Sequence, residues 1–329
     1  MKRISVLIPT AGQPAFLESA LRTVARQTAV FDIEEVIVSE NRGAEASRAV
    51  CERFSSLPIR YTMQDPPVSL IENYTFLFRQ ARSDLVAFLC DDDWWAPGHL
   101  QTAIAAFDAH AGSAAWFSAS YFVCAQMPYD GWVQRTPALW VAAGKPNLLD
   151  RWILDPVGQL AALWVHTPFH FSTMVLPRAH ALRAIAAVHD VHTYQLDRSF
   201  YLELSKLGTV MYESLPDTFV SWRDGNVTTR IARDDREHAF RECTKSVWEE
   251  SRRRDIDLAH FWADKLRGED TAIVADIARC FRRAMDSSTL VAHGFERFRP
   301  PSRYAKALGN VARWSRIALT RGLRLQTTR

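Results

Sequence analysis

The order of apolar and polar positions divides the chain into short buried strands and longer amphipathic helices. Ile4-Ser5-Val6-Leu7-Ile8 is an apolar, β-branched run that Pro9 is expected to end. Phe16, Leu17, Ala20, Leu21 and Val24 recur at helical spacing between about Pro14 and Gln27. Val36-Ile37-Val38 reads as a second strand, Ala44 to Phe54 as a helix, and Ile59 to Tyr61 as a weak third strand. Leu70 to Gln80 is helical, Leu85 to Leu89 a fourth strand, and Leu100 to Phe107 a helix. Continuous apolar strands separated by amphipathic helices predict a mostly parallel α/β sheet, Rossmann-like, with helices on both faces. From about Asp234 the pattern turns helical without strands. The expected division is a catalytic domain over 1–232, with halves 1–110 and 111–232, followed by a helical C-terminal region over 233–329.

In such sheets ligands bind outside the carboxyl ends of the strands. Pro9-Thr10-Ala11-Gly12, Ser39-Glu40-Asn41-Arg42-Gly43 and Asp91-Asp92-Asp93 all fall at such ends. The aspartate triplet is the most informative of them. Crowded carboxylates repel and raise each other's pKa unless something positive meets them. A divalent cation carrying phosphate ligands suits that demand, since Mg²⁺ is usually held by one or two carboxylates plus substrate phosphates. The competing reading is an acidic turn that caps the helix beginning near Pro97.

Composition narrows the class. The 329 residues have the apolar and charged fractions of an ordinary globular protein. The net charge of +3 is too small to argue for nucleic acid. Five unpatterned cysteines suggest neither zinc nor a disulfide framework and fit a reduced, cytoplasmic compartment. No apolar run reaches the ~20 residues of a spanning helix. After Glu296 there is no acidic residue, while Arg and Lys interleave with Tyr304, Leu308, Val311, Trp314, Ile317 and Leu319. Residues 300–329 therefore read equally as a basic helix lying on an anionic membrane surface or as a helix docked on the domain.

Val6-Leu7-Ile8-Pro9-Thr10, the helix ending Val24-Ala25-Arg26-Gln27, Glu35-Val36-Ile37-Val38-Ser39-Glu40-Asn41, and Asp91-Asp92-Asp93 with Pro97 and Leu100 resemble the inverting family-2 glycosyltransferases. The likeness is good over roughly 1–110 and loose over 165–230. It implies the GT-A fold, a nucleotide-diphospho-sugar donor with UDP favoured, and Mn²⁺ or Mg²⁺. It implies an acceptor that is a glycan, a lipid-linked glycan or a small molecule. Surface polysaccharide or lipid-linked glycan synthesis at the inner face of a membrane is the favoured setting, with a soluble acceptor as runner-up.

The resemblance also implies roles. Pro9 and Thr10 line the nucleotide site. Glu40 stands where the family has an Asp for the nucleobase imide, and Asn73 matches a position near the nucleotide. Counting back from Pro97 puts Cys90 at the family's first acidic position. Asp91 is then left for ribose or a metal-bound water, Asp92 for the metal, and Asp93 as a further metal ligand or support. Asp197 in Tyr194-Gln195-Leu196-Asp197-Arg198 matches the general base, against the simpler reading of a carboxylate at a helix N-terminus. Asp190 is the rival base. Val220-Ser221-Trp222-Arg223-Asp224 resembles a late loop that often carries a metal-side histidine. Arg223 is the expected diphosphate partner there, because its fork suits phosphate oxygens.

Two other classes compete. A nucleotidyltransferase normally has a Gly-rich basic loop after the first strand, and Pro9-Thr10-Ala11-Gly12-Gln13-Pro14 lacks it. A non-catalytic binding module of the same fold is kept open by Cys90, Glu40 and the absent histidine.

Overall fold

The computed structural model describes residues 3–267, apart from 30–31, 44, 125–130, 134–136, 148, 166, 189–194 and 224–230. Asp190, Asp224 and the basic segment 300–329 lie outside the described residues. No described helix is long and apolar enough to cross a membrane.

The first half follows the hydrophobic pattern closely. Strands β1 (Ile4–Thr10), β2 (Ile33–Glu40), β3 (Ile59–Met63) and β4 (Leu85–Phe88) alternate with helices α1 (Pro14–Ala25), α2 (Glu45–Glu52) and α3 (Leu70–Gln80). Their spatial order is β3-β2-β1-β4, and all three pairings are parallel. Each crossover is long enough to hold a helix, which is what a parallel connection requires. α3 begins in a capping box, Ser69 accepting from the Glu72 amide while the Glu72 carboxylate accepts from the Ser69 amide.

One expectation needs correcting. Pro9 does not end β1, which runs on to Thr10 and pairs Pro9 with Ser39. The ladder to β4 stops at Leu7↔Phe88, so the missing Pro9 N–H removes nothing from that side.

The second half is mixed. β5 (Trp94–Trp95) and α4 (His99–Ala109) follow the aspartates, and then come β6 (Ala115–Cys124), β7 (Gly131–Val133), α5 (Pro137–Ala142), β8 (Arg151–Leu154) and α6 (Pro156–Val165). A 3-10 turn at Phe171–Thr173 leads into β9 (Met174–Pro177), α7 (Arg178–Ala187), α8 (Leu196–Leu204) and β10 (Val210–Trp222). β9 enters antiparallel between β4 and β6, while β10 runs parallel to β6 and antiparallel to β5 and β8. The expected parallel sheet therefore describes the first four strands, and the remainder is mixed.

Two cores cover the sheet. Ile4, Val6 and Ile8 point into one with α1, α2 and α4, whereas Leu7 points into the other with α3 and α6 to α8. Helices α9 (Arg233–Arg253) and α10 (Leu258–Lys265) close the chain's described part. α9 and α10 pack against the second core. Phe240, Val247 and Trp262 share the second core, and Trp248 stacks on Trp164 at 5.1 Å.

Candidate active site

The ends of β1, β2 and β4 meet, as the topology requires. Thr10 and Glu40 are in register at the last positions of β1 and β2. Thr10 Oγ1 donates to Asp91 Oδ2 at 2.6 Å, tying β1 to the residues that follow β4. Pro9, Thr10 and Asp91 are buried. Burial pushes the Asp91 carboxyl up to about 7, reinforced by Asp92 and Asp93 and opposed by the Thr10 hydroxyl.

The three aspartates have three different environments. Asp93 is 1% exposed, and both its oxygens are occupied. Its Oδ2 accepts from Ser172 Oγ at 2.5 Å and its Oδ1 from the Ser221 amide at 2.9 Å. Burial, then the neighbouring Asp92, raises its pKa well above the usual carboxylate range. Asp93 therefore clasps the end of β10 to the turn before β9, which fits the supporting role rather than the metal-ligand role. Asp92 alone keeps a partly open carboxylate. Arg223 Nη2 reaches its Oδ2 at 3.4 Å, donates to Gln13 Oε1 at 2.6 Å, and the guanidinium lies 4.1 Å over the Phe16 ring. The Arg223 Nε is buried with no hydrogen-bond partner among the described residues.

Cys90, at the position where the family carries its first acid, takes an apolar role. Burial raises the pKa of its thiol and of the Tyr74 hydroxyl well above normal. Its amide donates to Ser172 Oγ at 2.9 Å.

Glu40 is held by contacts within the protein. It is fully buried, Oε1 accepting from the Gly12 and Arg42 amides at 2.9 and 2.8 Å and Oε2 from Ser47 Oγ at 2.7 Å. A carboxylate so occupied braces the segments after β1 and β2, with Oε2 accepting from Ser47 alone among the described residues. Gly12 adopts φ +74, a left-handed conformation that turns its N–H toward Glu40. Asn73 is likewise internal: its Oδ1 accepts from Ser39 Oγ at 2.5 Å, and Gln64 donates to the same hydroxyl at 3.0 Å.

Across the sheet end stands Asp197, in the first turn of α8. It is half-buried, and its Oδ1 accepts from the Arg198 amide at 2.7 Å. Burial pushes its carboxyl up to about 6, with the Arg198 amide and the charges of His170 and Arg198 pulling the other way. The next residue holds the helix in place. Arg198 is fully buried, donating to the Leu163, Trp164 and Phe240 carbonyls while lying 4.4 Å over the Phe240 ring. It thus caps the C-terminal carbonyls of α6 and fixes α8 against α6 and α9. One turn on from Asp197, the Tyr201 hydroxyl is buried and has no partner among the described residues.

His170 approaches the aspartate triplet and feels the charge of Asp197 as well. Its Nδ1 is 3.5 Å from Asp93 Oδ2, and the charges of Asp197 and Asp92 both act on the ring. Burial, the dominant effect, lowers its pKa.

Ser172, Ser221, Gln13 and Phe16 escaped the reading of the sequence as site residues. Their partners lie 79, 128 and 210 positions away in the chain for Ser172–Asp93, Ser221–Asp93 and Gln13–Arg223. No local spacing signals such contacts.

Among the described residues no cluster of three or more His, Cys, Asp or Glu forms a ready metal cage. That does not conflict with Mn²⁺ or Mg²⁺. A hard cation held by one carboxylate, waters and a diphosphate needs only Asp92 from the protein. The donor set fits a cation that comes with the nucleotide and does not fit one bound tightly beforehand.

Residues 5–148 match the family described as Glycosyl transferase family 2. Over 113 residues the chain is 34% identical to two proteins named validoxylamine A glucosyltransferase, from Streptomyces hygroscopicus subsp. jinggangensis (strain 5008) and subsp. limoneus. The match spans 34% of this chain and 26% and 24% of theirs, about a quarter of those relatives. The fold is shared with S. aureus TarS 1-349. The crystal structure with UDP-GlcNAc superposes with a TM-score of 0.55 at 14% identity, covering 89% of this chain and 76% of that one. The structure with UDP gives 0.51 at 12% identity, covering 88% and 74%. Fold and family match point the same way: residues 5–148 are similar to family-2 glycosyltransferases, and the sheet they belong to is GT-A-like.

Proposed function

We propose that the chain transfers a sugar, with inversion, from a UDP-sugar to an acceptor hydroxyl. The observation that carries this reading is the pair of unlike carboxylates. Asp92 is open beside Arg223, and Asp197 is half-buried with its carboxyl pushed up to about 6. Carboxylates in such unlike surroundings suit separate roles. TarS, whose fold this chain shares, has been captured with UDP-GlcNAc and with UDP, and this favours a UDP donor.

In the proposed reaction the acceptor oxygen attacks the anomeric carbon, the bond from that carbon to the diphosphate oxygen breaks, and the hydroxyl proton passes to Asp197. The unpartnered Arg223 Nε and its fork are suited to a diphosphate oxygen as negative charge grows there. Asp92 is the residue that would hold Mn²⁺ or Mg²⁺, which would supply further neutralisation of the leaving group. Asp91, held by Thr10, is our candidate for the ribose contact, with Glu40 and Asn73 supporting the nucleotide loops from within.

The acceptor has two readings. A glycan or lipid-linked acceptor at a membrane face is our first. A small soluble acceptor is favoured by the relatives named for glucosyl transfer to validoxylamine A. Sugar release from UDP-hexoses in the presence of Mn²⁺ tests the activity. It is expected in the wild-type chain and lost in Asp92→Ala and Asp197→Asn. Release that persists in Asp92→Ala counts against the reading.

A further inference from the structure

The turn before β9 alternates its side chains. Phe169 is buried and stacks on Phe117 at 4.0 Å, and Phe171 packs among Tyr74, Phe88 and Phe200 at 5.1 to 5.3 Å. His170 stands between two anchored rings and remains 29% exposed. Its neighbour Ser172 is held from both sides, by Asp93 and by the Cys90 amide. The imidazole is thus carried on a rigid support.

The hydrogen bonding fixes which nitrogen carries the proton. The Ser172 amide donates to Nδ1 at 3.3 Å, so Nδ1 is an acceptor. Asp93 Oδ2, at 3.5 Å from the same nitrogen, is already engaged by the Ser172 hydroxyl at 2.5 Å. The hydrogen therefore sits on Nε2, leaving one N–H donor on the exposed edge of the ring. The charges of Asp92 and Asp197 both act on the ring. In an in-line displacement the group between a diphosphate site and a base is the transferred sugar. A sugar offers hydroxyl oxygens, and a neutral N–H donor reads them without adding charge.

We infer that His170 is a specificity residue, whose Nε2–H donates to a hydroxyl oxygen of the transferred sugar. The inference rests on the nucleotide-sugar reading and is tested separately from it. Two substitutions divide the ring's functions. H170N keeps an acceptor where Nδ1 stands and removes the outer donor. H170Q keeps a donor near the Nε2 position.

The experiment measures, with Mn²⁺, the affinity of wild-type, H170N and H170Q protein for UDP and for a panel of UDP-hexoses, alongside melting temperature without ligand. UDP affinity is expected to be the same in all three. The wild-type preference for its best UDP-hexose over UDP should fall about five- to tenfold in H170N, the worth of one hydrogen bond. It should survive in H170Q, and the melting temperature of H170N should stay at the wild-type value. A preference unchanged in H170N, an equal loss in H170Q, an equal loss of UDP affinity, or no wild-type preference for any hexose each overturns the assignment. Failure of the wild-type chain to bind UDP or any UDP-hexose overturns the nucleotide-sugar reading itself.

Discussion

Arg223 Nη2 lies 3.4 Å from Asp92 Oδ2 while its guanidinium covers Phe16. The arginine arrives from the end of β10 and the carboxylate from the end of β4, so the pair joins the two halves of the sheet. Arg223 is only 16% exposed and Asp92 20%, and a pair so placed is screened less than a surface one. Arg223→Ala is expected to lower UDP affinity about tenfold, as a charge-assisted contact to phosphate is lost. Arg223→Lys should recover little of it, since a lysine does not reproduce the fork or the ring contact. Titration calorimetry with UDP and Mn²⁺ reads both. Unchanged affinity in Arg223→Ala removes the arginine from the diphosphate site.

Neighbouring aspartates should fail in different ways. Asp93 accepts from Ser172 and Ser221 in the interior, and its loss leaves both donors unsatisfied. Asp93→Ala is expected to cost about 2–4 kcal/mol of unfolding free energy. Asp92→Ala leaves Arg223 bonded to Gln13 and relieves the crowding of Asp91 and Asp93, so it should change stability by no more than about 0.5 kcal/mol while abolishing sugar release. Urea denaturation of the two variants decides it. A stability loss in Asp92→Ala as large as that of Asp93→Ala would mean the two carboxylates share one structural role.

What the sequence disclosed follows from the range over which each signal acts. Helix α3 was legible to the residue, because its cap, its apolar spacing and its ends are all local. The strand ends that gather Thr10, Glu40 and the aspartates followed from the βαβ pattern alone. The second half was not legible in this way. β9 pairs β4 and β6, and β6 pairs β10 from some 95 residues away, so topology there depends on contacts without local periodicity. The same holds for roles. Asp93 and Asp92 are adjacent in the chain, and only the distant serines distinguish clasp from open ligand. Glu40 was in the expected place, but Gly12 and Ser47, which occupy its oxygens, carry no motif of their own.

Glu40 supplies a sharp test of brace against base reader. Its three donors come from Gly12 in the loop after β1, Arg42 in the loop after β2 and Ser47 in α2. Glu40→Gln replaces one accepting oxygen by an NH₂ that faces existing donors. The expected cost is about 2–3 kcal/mol of stability, with a modest fall in UDP affinity that follows the loosened loops. A nucleobase contact gives the opposite pattern: full stability and a large loss of discrimination between UDP and other nucleoside diphosphates. Thermal denaturation paired with a nucleotide panel distinguishes them.

Asp197 links pH, rate and stability in one residue. Burial pushes its carboxyl from the ordinary aspartate value up to about 6. A general base acts only when ionised, so sugar transfer should rise with pH through about 6 and level off above it. The stability effect has the opposite sign. A folded-state pKa above the unfolded value means that the folded chain holds the proton more tightly. This contribution is full below about pH 4, and it is lost as pH rises through about 6. Asp197→Asn keeps the oxygen that accepts from the Arg198 amide but never ionises. At pH 8 the variant should therefore be inactive yet more stable than wild type by about 1–2 kcal/mol, and at pH 4 the two should be equal. Denaturation curves at both pH values, set beside the pH–rate profile, test the assignment from two sides. A variant that gains no stability at pH 8 and retains transfer shows that Asp197 only begins a helix.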